Sequence, residues 1–173
     1  MRYTVVPRAV VLCGRHMLLV RSSPGLRSPS SGRWHLPGGE IRAGESPQRA
    51  IARVVAERSA LRVEVCGCLD ALVRRGPDPE TGRQVPLLHL FFVCRPASDS
   101  SPDLLPGAGA HTADPSAEGP SPGEPDALHI GPPGGADWGW TDLASGLGAL
   151  KHDVVGEAVI EHIAAALGPD PQA

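Results

Sequence analysis

Trp34-His35-Leu36-Pro37-Gly38-Gly39-Glu40-Ile41-Arg42-Ala43-Gly44-Glu45, followed after seven residues by Arg53-Val54-Val55-Ala56-Glu57-Arg58, is the stretch whose reading decides the fold. A Leu-Pro-Gly-Gly turn ends a short strand and opens a loop, and Ser46-Pro47 then reads as a helix start, because Pro suits the first turn. Ala50, Ile51, Val54, Val55 and Leu61 recur at steps of three and four, which predicts an amphipathic helix from Glu45 to about Ala60. Paired glycines let a backbone approach phosphate oxygens that a Cβ would block. A helix that follows such a loop can project acids toward a divalent cation, provided they stand three and four residues apart and so share a face. Positions 54, 57 and 58 have that spacing, yet only Glu57 is an acid. The stretch reads as a phosphate-and-metal site with most of its metal ligands removed.

On the N-terminal side, two β-rich runs, Tyr3 to Cys13 and His16 to Val20, are separated by Gly14-Arg15, which predicts a tight hairpin. Arg21 to Arg33 is rich in Ser, Pro and Gly and reads as a loop. It carries Arg21, Arg27 and Arg33, either as a solvated surface or as a rim that contacts phosphate, since the Arg fork matches phosphate oxygens. On the C-terminal side, Arg62 to Arg74 reads as a strand or a pair of strands, Gly76 to Gly82 as a turn, and Leu87 to Cys94 as a central strand buried on both faces. Residues 96–136 are Pro, Gly, Ser, Ala and acids with almost no large apolar side chains, a composition that cannot pack a core by itself. They are expected to be a flexible acidic insertion within one domain of residues 1–168. The folded pattern resumes at Asp137-Trp138-Gly139-Trp140-Thr141-Asp142-Leu143, and a last amphipathic helix runs from about Val154 to Leu167, leaving residues 169–173 as a tail.

The bulk numbers agree with one domain, since 173 residues fall in the common single-domain range of roughly 100 to 200. Only 3% of residues are aromatic, so the core must be built from Val, Leu, Ile and Ala, with Trp34, Trp138 and Trp140 as anchors. Trp138 is the best candidate platform for stacking a base, if it is not core. A net charge of -3 supplies no general attraction for nucleic acid or an anionic membrane. The positive charge is almost all arginine and lies in the first half, while the second half is acidic. Cys13, Cys66, Cys68 and Cys94 stand in apolar runs without CxxC pairing and are expected to be reduced core residues of a cytoplasmic protein. No apolar run approaches the roughly 20 residues needed to span a bilayer, and no targeting segment is visible.

The spacing resembles the Nudix box: a glycine, five residues, a glutamate, seven residues, then Arg-Glu-apolar-any-Glu-Glu-any-Gly-apolar. Gly39, Glu45, Arg53, Val55, Glu57 and Leu61 match it in register, and Trp34 to Gly39 resembles the lead-in that precedes it. The resemblance implies an α/β fold, a Nudix-like α/β/α sandwich with a mixed central sheet, in which loop and helix bind a metal-chelated diphosphate. It implies Mg²⁺ as cofactor, a phosphorylated small molecule as ligand and, since Nudix relatives are often dimers, a homodimer as the assembly to look for.

The departures bear on activity. Val54 stands where the family has its first helix glutamate, Arg58 where it has its last, and Ala60 where it has glycine. Those glutamates hold Mg²⁺ or act as general base in the family, so Glu57, with the Gly38 backbone, is the remaining metal site. Glu57, Glu40 and Glu45 are the candidate catalytic carboxylates, although Glu45 and Arg53 resemble a pair that ties loop to helix. Gly38, Gly39, Arg53, Arg58 and Arg21 are the candidate substrate-binding residues. Replacements for the lost acids are Glu40, His35 as a base near neutral pH, or Glu118, Glu124 and Asp126 of the insertion. The expected function is hydrolysis of a diphosphate linkage in a nucleoside diphosphate derivative or similar compound. The alternatives are binding of a phosphorylated ligand without cleavage, and a repurposed Nudix-fold enzyme with other chemistry, since function lives in the site and not in the fold.

Overall fold

The computed structural model describes residues 3–21, 33–77, 82–106, 137–150 and 155–167. Its elements are β1 (Thr4–Cys13), β2 (His16–Arg21), β3 (Trp34–His35), α1 (Pro47–Ser59), β4 (Val63–Pro77), β5 (Gln84–Pro96), β6 (Trp138–Asp142), α2 (Leu143–Ala149) and α3 (Glu157–Leu167), with a 3-10 turn at Pro102–Leu104. The predicted hairpin is present: Gly14 adopts a φ of 57°, and β1 and β2 pair antiparallel through Leu12 with Met17 and Cys13 with His16. Strand β1 also runs parallel to β5 from Thr4 opposite Leu87 to Val11 opposite Cys94. β4 pairs antiparallel with β5, and β2 carries β3 and β6 as antiparallel neighbours. The sheet is therefore mixed, ordered β3-β2-β1-β5-β4, with β6 on β2.

Alternation along the strands feeds two cores. Ala9, Val11, Leu18, Val20, Phe92 and Cys94 face α1, where they meet Ile51, Val55 and Leu61 together with Trp138 and Trp140. Val10, Met17, Leu19 and Phe91 face the other way and meet Leu143, Leu150, Val159 and Ile163 from the α2–α3 region. This is the expected sandwich, and Phe91 and Phe92 pointing into opposite cores make β5 buried on both faces there. Helix α2 lies so close to β2 that a Cβ on Gly146 would collide with Met17.

Several expectations are corrected. Of the two alternatives for Arg62 to Arg74, the structure has the single strand, β4, which begins at Val63 and runs on through Gly76 and Pro77, where the sequence predicts a turn, with register shifts between Val65 and Gly67 and between Cys68 and Asp70. Cys66 and Cys68 are exposed on this outermost strand, and only Cys94 of the four thiols is buried. An apolar run on an edge strand has one neighbour instead of two, so its side chains are less covered. Burial, with the Cys66 thiol nearby, pushes the Cys94 thiol up to about 12. Trp138 is 9% exposed and part of the core, so its indole is no stacking platform.

The first part of the 96–136 stretch is tied down. The Ala97 N–H and the Ser100 hydroxyl both donate to the Arg62 carbonyl, at 2.8 Å each, and Trp140 Nε1 donates to the Leu104 carbonyl at 2.7 Å. Leu104 and Leu105 pack against the α1-side core. Residues 107–136, with Glu118, Glu124 and Asp126, lie outside the described residues, as do Arg27 and most of the loop around it. No described helix is long and apolar enough to cross a membrane.

Candidate active site

The glycine loop is held against β1 by backbone pairing. The Ala9 N–H donates to the Pro37 carbonyl at 2.7 Å and the Gly39 N–H donates to the Pro7 carbonyl at 3.4 Å, which bracket a bridge between Arg8 and Gly38. In such a bracketed antiparallel pair the central residue's own N–H and C=O point away from the partner strand. The Gly38 carbonyl is thus turned away from β1. A Cβ at Gly38 would come within 2.6 Å of Arg8 Cδ and 2.8 Å of the Pro7 oxygen, so no larger residue fits without moving the strand. Gly39 backs onto the helix, where a Cβ would stand 3.0 Å from Val54 Cγ2.

Helix α1 begins where the sequence predicts. Ser46 is its N-cap, with the hydroxyl accepting from the Arg49 N–H, and Pro47 opens the first turn. It ends at Ala60, the non-glycine residue with positive φ among the described residues, at φ 57° and ψ 1°. The family's glycine position is therefore still in the left-handed conformation that glycine favours.

Arg53 is the centre of the site. Its Nε and Nη2 donate to the two Glu45 oxygens at 2.8 Å each, its Nη2 to the Glu40 carbonyl at 2.9 Å, and its Nη1 to Glu57 Oε2 at 3.2 Å. The Arg42 N–H adds a third bond to Glu45, at 3.0 Å to Oε2. Arg53 beside it, together with that backbone N–H, lowers the Glu45 carboxyl to about 2. Three donors on its two oxygens favour the ionised form of Glu45. The Arg53 guanidinium is committed to the loop in turn. Both side chains are thus engaged with each other and with the loop.

Of the remaining candidates, Glu57, Glu40 and Arg58 are exposed, whereas Arg21 and His35 are half-buried. Glu57, with half its side chain accessible, receives Arg42 Nη2 on Oε1 at 3.0 Å as well as Arg53 on Oε2. Glu40 and Arg58 project to solvent, and Val54 is 5% exposed against Gly39. Arg21 closes β2 opposite Trp34, its N–H donating to the Asp137 carbonyl at 2.6 Å. His35 pairs with Val20 in the sheet, and its Nδ1 lies 3.0 Å from the Leu36 carbonyl. Nothing in the sequence pattern singles out Arg42. The one available signal is a cation inside a phosphate loop where the neighbouring helix carries an acid.

Among the described residues no three His, Cys, Asp or Glu side chains converge as a metal site. The donors do not fit a cation held by the protein alone. They do fit one that arrives on phosphate oxygens, because Mg²⁺ is commonly bound by one or two carboxylates plus substrate phosphates. Glu57 is such a carboxylate, half accessible, paired with the less exposed Arg53 and, through the exposed Arg42, in a surface ion pair of the kind worth about 0 to 1 kcal/mol.

The NUDIX domain pattern matches residues 3–116. An 8-oxo-dGTP diphosphatase from Proteus vulgaris is 31% identical over 70 residues, 40% of this chain and 62% of that protein, so the match spans less than two thirds of the relative's length. Two solved structures share the fold. A NUDIX hydrolase from Nitrosomonas europaea superposes with a TM-score of 0.55 at 13% identity over 96% of this chain and 88% of that one. The MutT protein from Methanosarcina mazei Go1 gives 0.54 at 16% identity, over 95% and 92%.

Proposed function

This chain belongs to the NUDIX domain family, and on that premise we propose that it is a cytoplasmic Nudix-type hydrolase cleaving the diphosphate linkage of a nucleoside diphosphate derivative, with a metal site reduced to one helix carboxylate. The observation that carries this reading is the loop itself. Gly38 and Gly39 are held between β1 and α1, and Arg53 ties Glu45 and the Glu40 carbonyl together by hydrogen bonds. A loop braced by its own hydrogen bonds has less ordering entropy to lose when a diphosphate settles on it. The Proteus relative, a diphosphatase of a nucleotide, supports the substrate class.

Nudix hydrolases generally use a divalent metal such as Mg²⁺, and here Glu57 and the Gly38 carbonyl would hold it. When bound, the ion supplies neutralisation of phosphate charge as water attacks phosphorus. The protein's own residues do the rest. Gly38 and Gly39 admit the diphosphate backbone-first, Arg58 on the exposed side of α1 and Arg21 at the end of β2 supply cations to its oxygens, and Glu40 is the carboxylate in the loop available to accept the water's proton. Glu45 and Arg53 keep these groups in register.

A second reading, binding without cleavage, is favoured by one observation: the first helix-acid position is Val54, packed under Gly39, while Glu57 has a guanidinium on each oxygen. A phosphate-release screen over nucleotides and nucleotide sugars, with and without Mg²⁺, separates the two readings when run beside the Val54→Glu/Arg58→Glu double variant. Hydrolysis predicts Mg²⁺-dependent release by the native protein. Release by the double variant alone replaces hydrolysis with binding.

A further inference from the structure

Arg42 has a fixed backbone and a loose side chain. Its N–H donates to Glu45 Oε2 and its carbonyl accepts from the Glu45 N–H, both at 3.0 Å, so its Cα is pinned at the rim of the loop. Among the described residues the guanidinium, 66% exposed, makes one hydrogen bond, reaching fifteen residues along the chain to Glu57 Oε1. Arg53, on the other Glu57 oxygen, is held by three further bonds and is only 19% exposed. Of the two cations that occupy Glu57, one is therefore locked and the other can leave.

We propose that Arg42 is a phosphate-binding residue that keeps Glu57 in reserve: its guanidinium rests on Glu57 Oε1 until a diphosphate enters, then transfers to a ligand phosphate and exposes that oxygen. This rests on the reading of the loop as a diphosphate site. The exchange runs downhill for simple reasons. A diphosphate carries more negative charge than one carboxylate and offers the guanidinium fork a bidentate partner, whereas the pair it replaces is exposed and weak. The consequence is an ordered site in which anion binding precedes full access to Glu57, so that a cation without a phosphate ligand must compete with a guanidinium at each of its oxygens. Arg42 acts on Glu57 as a positioning residue and on the ligand as a contact.

The test is calorimetric binding of inorganic pyrophosphate and of ADP to the full chain in EDTA, for the native protein, Arg42→Ala, Arg42→Lys, Glu57→Gln and the Arg42→Ala/Glu57→Gln pair. Arg42→Ala should weaken both ligands about threefold to tenfold, with part of the loss recovered by Arg42→Lys. Glu57→Gln should tighten them about twofold to fivefold by releasing Arg42. That gain should shrink or vanish in the double variant, whereas simple removal of a negative charge would tighten both backgrounds alike. In a second measurement, Mn²⁺ without phosphate, followed by electron paramagnetic resonance, should bind Arg42→Ala more tightly than the native protein. Native binding of pyrophosphate with no change in Arg42→Ala, or an equal Glu57→Gln gain in both backgrounds, overturns the role of Arg42 and leaves the diphosphate site standing. Absence of pyrophosphate and ADP binding to the native protein overturns both.

Discussion

Placing acids at positions 54 and 58 with Val54→Glu/Arg58→Glu tests whether this face of the helix can share a cation with Glu57, and stability reads it without any knowledge of the substrate. Val54 is 5% exposed and sits where a Cβ on Gly39 would touch it at 3.0 Å, so a glutamate there enters a filled place. Full burial of a Val side chain is worth about 1.5 to 3 kcal/mol, part of which the glutamate's methylenes keep. Covering an unpaired carboxylate adds a comparable or larger penalty, relieved by turning outward or by picking up a proton. Arg58 is exposed, and its replacement should cost within about 0.5 kcal/mol. The double variant should therefore lose about 2 to 3 kcal/mol in EDTA, a fall in melting temperature of about 4 to 12 °C for a chain of this size. A covered carboxylate has a raised folded-state pKa, so it binds its proton more tightly in the folded than in the unfolded state. The deficit is then smaller below the ordinary glutamate pKa and grows as pH rises toward 7. If positions 54, 57 and 58 share a cation, Mg²⁺ at about 100 times its dissociation constant returns about 2.7 kcal/mol. Thermal unfolding in EDTA and in Mg²⁺, at pH 4.5 and 7, gives all four values. A double variant as stable as the native protein refutes the packing argument at Val54, and one that Mg²⁺ fails to stabilise refutes the inference that the box spacing still builds a metal face.

Three further outcomes are expected. Glu45 has its carboxyl lowered from an ordinary 4.5 to about 2, so its contribution is present above pH 4.5 and disappears as pH falls toward 2; the protection factors of amides 40–45, measured against intrinsic rates that themselves slow with acid, should drop over that window, and in Arg53→Lys, which loses the two-pronged contact, they should already be low at pH 7. Ala60→Gly should raise stability by about 0.5 to 1 kcal/mol, because the left-handed conformation at φ 57° costs an alanine about 1 to 2 kcal/mol and glycine's unfolded-state entropy returns about 0.4 to 1; an unchanged or lower urea midpoint contradicts it. Trp140→Phe removes the donor to the Leu104 carbonyl and should cost about 1 kcal/mol, with faster proteolytic cleavage within residues 97–106 than in the native protein.

Some of the site is written in local spacing. A turn of Leu-Pro-Gly-Gly, a cap at Ser46-Pro47 and apolar residues at helical steps specify their own conformations, because each depends on residues within one or two turns of itself. The box therefore predicts α1, its start at Ser46-Pro47 and the Glu45–Arg53 tie, and the structure shows all three. Helix α2 was hidden for the opposite reason. Leu143–Ala149 has two glycines in seven residues, which read as helix breakers, and it forms because Asp142 caps it and Gly146 lets it close on Met17 of β2. Cys66 and Cys68 have the composition of core residues, but whether a strand lies at the middle or the edge of a sheet is decided by which other strands find it.

The sequence by itself determined the family and the mixed α/β sandwich, and it places Val and Arg at positions 54 and 58, since those are matters of identity and spacing along one short segment. Only the tertiary structure decided what became of the acid that was left. Glu57 lies fifteen residues from Arg42, and no periodicity joins a residue in a loop to one on the following helix. Their meeting depends on how the loop folds back over the helix, which Arg53 fixes by holding Glu45 and the Glu40 carbonyl at once. A short-range pattern can place a carboxylate on a helix face, but its partner is set by the path of the chain between them.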